Sequence, residues 1–152
     1  IDEMEALYRR TETLMKNVRE NLYHRELGAL AEVYQKLTGF VKNNEFFRLD
    51  LEPLRGIENG EHLIRTIEGA RMSVTRNVSN MANALPPLGL FAYEPAEGDI
   101  YDPIRHISID TGSPYNRRIR RCVKHGVMLI QNKDDREGDV LKKAEVELEP
   151  AE

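Results

Sequence analysis

Tryptophan is missing from this sequence of 152 residues, cysteine occurs once, and no proline appears before Pro53. Each absence excludes something. A lone thiol, Cys122, permits no internal disulfide and suits a reducing cytosol. No apolar run approaches the roughly 18 residues of a membrane-spanning helix, so a soluble protein with no membrane partner is expected. The histidines His24, His62, His106 and His125 are scattered. Cys122 and His125 have a ligand-like spacing, but zinc takes about three or four such donors, so neither a metal nor a cofactor is expected. No Ser-His-Asp set, glycine-rich phosphate loop or paired-carboxylate signature can be argued, and the chain does not read as an enzyme. A net charge of −4 opposes a general nucleic-acid binder. With 32% of residues charged, one compact core would be sparse, and an elongated molecule fits better. The chain begins at Ile1 with no signal or transit pattern, so an upstream segment is expected.

What is present is a periodic stretch that opens the chain. Steps of three, four and four residues from Met4 land on Leu7, Thr11, Met15, Val18, Leu22, Glu26, Ala29, Val33, Leu37 and Phe40, and only Thr11 and Glu26 are not apolar. A repeat of about 3.67 residues per turn barely drifts around a straight α-helix. The phase holds through Gly28, so one helix is expected over residues 1–42. At about 1.5 Å per residue it would run roughly 60 Å and could not bury its stripe against itself. Nothing else in the chain is as long, so a second copy is the economical partner, giving a parallel dimer joined along that stripe. After Leu22 the residues Leu27, Leu30, Ala31, Tyr34 and Val41 widen the apolar face, as in a bundle helix.

Asn43 and Asn44 start a connector, 43–59, limited by Pro53 and Gly56. A second helix is expected over 60–85, where Leu63, Ile67, Ala70, Val74, Val78, Met81 and Leu85 recur at helical spacing until Pro86-Pro87. Its length suits antiparallel packing on the widened end of the first helix, and doubling by the dimer makes a four-helix bundle. From 86 to 152 the period becomes extended. Runs at 88–93, 104–109, 117–123, 127–131 and 140–148 alternate with Pro, Gly and Asp clusters, which predicts a small, mainly antiparallel β-domain with a long hydrophilic loop at 132–139. The fold class is therefore α+β.

A long paired helix, a bundle and a C-terminal β-domain, in that order, resemble the GrpE family, the nucleotide exchange factors of DnaK-type chaperones. Tyr8-Arg9-Arg10-Thr11-Glu12 resembles the Arg-rich segment ending in Thr-Glu of the family's long helix. Tyr101-Asp102-Pro103-Ile104-Arg105-His106 is similar to its aromatic or Leu followed by Asp-Pro-x-x-His. Lys124-His125-Gly126 resembles its Lys-Gly before a hairpin, and Leu141-Lys142-Lys143-Ala144-Glu145-Val146 its closing Ile/Leu-Arg-Pro-Ala-x-Val. The chain departs from the family at Leu30 to Gln35, which lacks the usual Pro and Asp, at Val127 in place of Tyr, and at Lys143 in place of Pro.

The resemblance implies a co-chaperone that binds the chaperone's ATPase domain and holds its cleft open so that ADP leaves. Positions matching the family's contacts are Tyr101, Val123 and Leu148 on the β-domain, and Arg9, Arg10 and Lys16 on the long helix lie next to or near its other contacts, so that all six are expected at the chaperone interface. For Tyr101, Val123 and Leu148 an equal reading is a place in the β-domain core. Arg117, Arg118, Arg120, Arg121 and Lys124 form a dense basic run. It reads first as a charged edge strand, second as a patch facing acid on a partner, and third as a nucleic-acid contact, because no aromatic interleaves it. The alternative function is a dimeric adaptor or nucleic-acid-binding module that kept the fold and lost exchange activity.

Overall fold

The structure, a computed structural model, describes residues 2–130 and 138–151. It is mixed α+β, and the chain divides into two compact units, 1–30 and 31–152. The first helix, α1, spans Asp2–Asn43 and is continuous through Gly28. Acidic Asp2, Glu3 and Glu5 in its first turn and Lys42 in its last complement the helix dipole, and no proline interrupts it. Residues 2–30 of α1 form the first unit. Met4, Leu7, Met15 and Val18 of the stripe are exposed there, as is Ala29, while the side chain of Leu22 lies outside the described residues.

In the second unit the connector forms two short 3-10 helices, Glu45–Phe47 and Glu52–Gly56. Asn44 caps the first by accepting the Phe46 N–H. The second helix, α2 (Gly60–Ala84), follows Asn59, whose φ of 61° is left-handed, and stops ahead of Pro86. Gly60 is required where it stands, since any Cβ would overlap the Leu54 carbonyl. Arg71 then clasps the connector to α2 by donating to the Phe46 and Leu49 carbonyls at 2.7 and 2.8 Å, with its guanidinium over the Phe46 ring. The main contacts of α2 within the chain are with the 3-10 helices at 52–56 and 86–88. Only Gly60 and Ile64 of α2 are buried.

The widened face of α1 has another use. Tyr34, Gln35, Thr38 and Asn43 reach the β-domain, where their polar groups find backbone and side-chain partners. Val33, Leu37 and Phe40, which continue the original stripe, remain exposed.

The β-domain contains β1 (Leu90–Tyr93), β2 (His106–Ser108), β3 (Ile119–Lys124), β4 (Gly126–Leu129), β5 (Asp139–Lys142) and β6 (Ala144–Leu148). They form two three-stranded sheets in the orders β1-β4-β5 and β2-β6-β3. All pairings are antiparallel except β2 with β6, which is parallel. The single run expected at 140–148 is two strands in different sheets, parted at Lys143, whose carbonyl accepts a hydrogen bond from Gln35. Most of the loop expected at 132–139 lies outside the described residues, and Asp139 opens β5. One core gathers Ile119, Cys122, Ala144, Val146 and Leu148, with Tyr93 and Tyr101 packed on it. In the other sheet Leu90, Val127 and Leu129 are buried. Each such aliphatic side chain contributes about 1.5–3 kcal/mol by leaving water.

Candidate functional site

The four motif-like segments divide between α1 and the β-domain. Tyr8, Arg9, Arg10 and Lys16 are all exposed on α1, and their side chains make no ion pair among the described residues. A concavity of about 610 Å³ beside Tyr8, Met15 and Lys16 is lined by one face of this helix alone.

In the β-domain the Asp102-to-His106 segment closes on itself. The Asp102 carboxylate accepts the Ile104 N–H at 2.9 Å, its carbonyl accepts the His106 N–H at 2.8 Å, and its N–H donates to His106 Nδ1 at 3.0 Å. His106 is 7% exposed and burial lowers its pKa, so the neutral ring that accepts at Nδ1 is the favoured form. Its neighbour on β2, Ile107, is 50% exposed, and Ile104 before the strand and Ile109 after it are exposed as well. Polar inside and apolar outside is the reverse of an ordinary half-buried strand. That alternation is written in the sequence His106-Ile107-Ser108-Ile109, and only the burial of His106 tells which face is inward.

Lys124-His125-Gly126 joins α1 to the sheets. The His125 N–H donates to Thr38 Oγ1 at 3.1 Å, its carbonyl accepts from Gln35 Nε2, and Nδ1 lies 3.1 Å from the Tyr34 hydroxyl. Nε2 stands 3.0 Å from Glu94 Oε2, a close contact whose direction departs from that of a hydrogen bond. Burial lowers the His125 pKa against the opposing pull of Glu94, which favours the neutral ring, and its Nδ1 shares a hydrogen bond with the Tyr34 hydroxyl. Lys42 pairs with the same Glu94. Burial of Glu94 is outweighed by the Lys42 hydrogen bond and the nearby His125, which hold its carboxyl below the usual range. Lys124 lays its stem over Gly39, where a Cβ would meet Lys124 Cγ at 2.7 Å. Asn43 completes the joint by donating to the Val123 carbonyl at 2.9 Å.

Of the expected β-domain contacts, Val123 is 9% exposed and Leu148 3%, and Leu148 belongs to the core cluster. Both side chains therefore serve the core role named as their other reading. A register shift between Cys122 and Lys124 turns Cys122 and Val123 inward together. Tyr101 is half-buried, packed on the core at one side and edge-on to Tyr115 at 6.2 Å on the other. Cys122 and His125 do not act together as ligands: the thiol donates to the Lys124 carbonyl, and burial pushes its pKa up to about 11. Among the described residues no group of three or more His, Cys, Asp or Glu side chains is placed to hold a metal ion.

The basic run is an edge, since β3 lies outside β6, and it is uneven. Glu147 clamps both Arg120 and Arg121, the latter at 2.5 Å, and Lys124 pairs with Glu145 at 3.1 Å. Arg117 and Arg118 instead donate to backbone carbonyls, of Glu149 and Ser113 and of Gly98 respectively, and no carboxylate pairs with them among the described residues. Among those residues, also, no helix is long and apolar enough to cross a membrane. No protein-family model matches the chain, and no curated protein matches it.

Proposed function

We propose that this protein is a nucleotide exchange factor of the GrpE kind, a co-chaperone that binds the ATPase domain of a DnaK-type chaperone and opens its cleft to release ADP. The observation that carries the reading is the order of elements, a 42-residue helix, a second helix, then a β-domain, with the Asp102-to-His106 and Lys124-to-Gly126 segments at the turns of that domain. In this reading a second copy covers the exposed stripe of α1 and the uncovered face of α2, making a dimeric four-helix bundle. The protein works by differential affinity. Binding the open cleft better than the closed one shifts the population, and ADP weakens binding by the same factor. Going from mostly closed to mostly open takes about 5 kcal/mol of preference.

The test is the release of labelled ADP from a DnaK-type chaperone with and without the full chain. Faster release at micromolar protein is the expected outcome; an unchanged rate together with absent binding to the ATPase domain refutes the reading.

A further inference from the structure

The basic run separates into cations that are paired with carboxylates and cations that, among the described residues, are not. Arg120, Arg121 and Lys124 are neutralised by Glu147 and Glu145. Arg117 and Arg118 have no carboxylate at ion-pair distance among the described residues, and with Tyr115 they line a cavity of about 450 Å³ at the start of β3. Glu149 lines it too, without an ion pair to either arginine. Tyr115 is 63% exposed, and its neighbour Asn116 takes a left-handed φ of 63°. Exposed Ile100 bridges to Arg118, and the Tyr101 N–H donates to the Arg117 carbonyl at 2.9 Å, so the backbone that carries Ile100 and Tyr101 runs alongside that of the two arginines. The aromatic absent from between the arginines in sequence is thus brought beside them by the turn at 113–116.

We infer that the patch of Ile100, Tyr101, Tyr115, Arg117 and Arg118 is an interaction surface for an acidic segment of a partner protein that carries an apolar side chain beside its carboxylates. For the partner's identity this rests on the exchange-factor reading, which places an ATPase-domain lobe against the β-domain. Charge complementarity selects the occupant. Among the described residues the guanidinium groups are bonded to carbonyls and to no carboxylate, so N–H donors remain, and planar forks of this kind meet carboxylates in pairs. Tyrosine and arginine are among the residue types from which most interface energy comes. The net charge of −4 and the nearby Glu149 favour a short acidic segment over a long polyanion.

Fluorescence anisotropy on the full chain tests this with three probes: a labelled peptide of aspartate, glutamate and phenylalanine, the same peptide with lysine for the acids, and single-stranded oligothymidylate. Only the acidic peptide should bind, more weakly as salt rises. Arg118→Glu, which costs one carbonyl contact, and Tyr115→Ser, at an exposed position, should each weaken it about tenfold or more, whereas Arg120→Ala should leave affinity unchanged. Failure of the acidic peptide to bind, equal loss with Arg120→Ala, or preferential capture of oligothymidylate overturns the inference. The ADP-release assay separates the two claims. If the wild type accelerates release and Arg118→Glu matches it, this surface is wrong and the exchange reading stands. If the wild type binds the acidic peptide through Arg118 and never accelerates release, the surface stands and the exchange reading falls.

Discussion

Gly126 lies in register with Tyr93 across β1 and β4, and any Cβ there would overlap the Tyr93 ring. The ring cannot simply retreat. Its hydroxyl donates to the Arg105 carbonyl at 2.5 Å and accepts the Ala144 N–H at 3.3 Å, so one side chain of the first sheet reaches both edge and centre of the second. Gly28 is the contrasting case, with nothing within 4 Å of the position a Cβ would take. Gly126→Ala should therefore destabilise the β-domain by about 1–3 kcal/mol, as overpacking does, while Gly28→Ala should favour the helix by up to about 1 kcal/mol. Urea denaturation followed by circular dichroism checks both, and a neutral Gly126→Ala would show that Tyr93 does not join the sheets.

At the scale of the element, α1 has two faces with different fates. Tyr34, Gln35, Thr38 and Gly39 serve the β-domain joint, whereas Met15, Val18, Val33, Leu37 and Phe40 keep the spacing of a seam and stay exposed. Scattered exposed apolar residues are ordinary; a row of them in phase along one helix is the pattern that a partner helix covers. The expected outcome is a homodimer in sedimentation equilibrium at micromolar concentration. Val18→Glu or Val33→Glu should raise its dissociation constant by about a hundredfold or more, since an unpaired charge in a desolvated seam costs several kcal/mol. A wild-type monomer at that concentration sinks the paired-helix reading.

For the molecule as a whole, the shifted groups define a pH window. His106 and His125 are held neutral by burial, so their pKa values lie below the ordinary 6.5 and the unfolded chain binds more protons beneath that point. Stability is then full above about pH 6.5 and declines as the pH falls through it. A second loss follows below about pH 4.5, where Glu147, held down mainly by the Arg121 hydrogen bond, and Glu94 must take up protons on unfolding. On the alkaline side, buried Cys122 resists ionisation up to about 11, so the unfolded chain ionises first and stability declines above about pH 9. Urea midpoints should accordingly form a plateau between about pH 7 and pH 9 and fall on either side. A midpoint unchanged between about pH 7.5 and pH 5.5 would contradict neutral, buried histidines.

Local pattern by itself determined the two helices, since their period, the missing prolines and the Pro86-Pro87 stop all act within a few residues, and it marked the runs that became strands. It could not determine which face of a strand turns inward. His106 is buried because the Asp102 N–H and the Tyr101 ring await it, Val123 because a register shift on β3 turns two successive residues the same way, and Leu148 because β6 lies between two strands. The split at Lys143, the parallel pairing of β2 with β6, and the division of one basic run into paired and unpaired arginines likewise depend on groups far away in the chain, among them Gln35, Glu145 and Glu147. Periodicity reports only that a segment has two faces; what lies opposite each face, and so which charges find a carboxylate, is decided when distant segments pack.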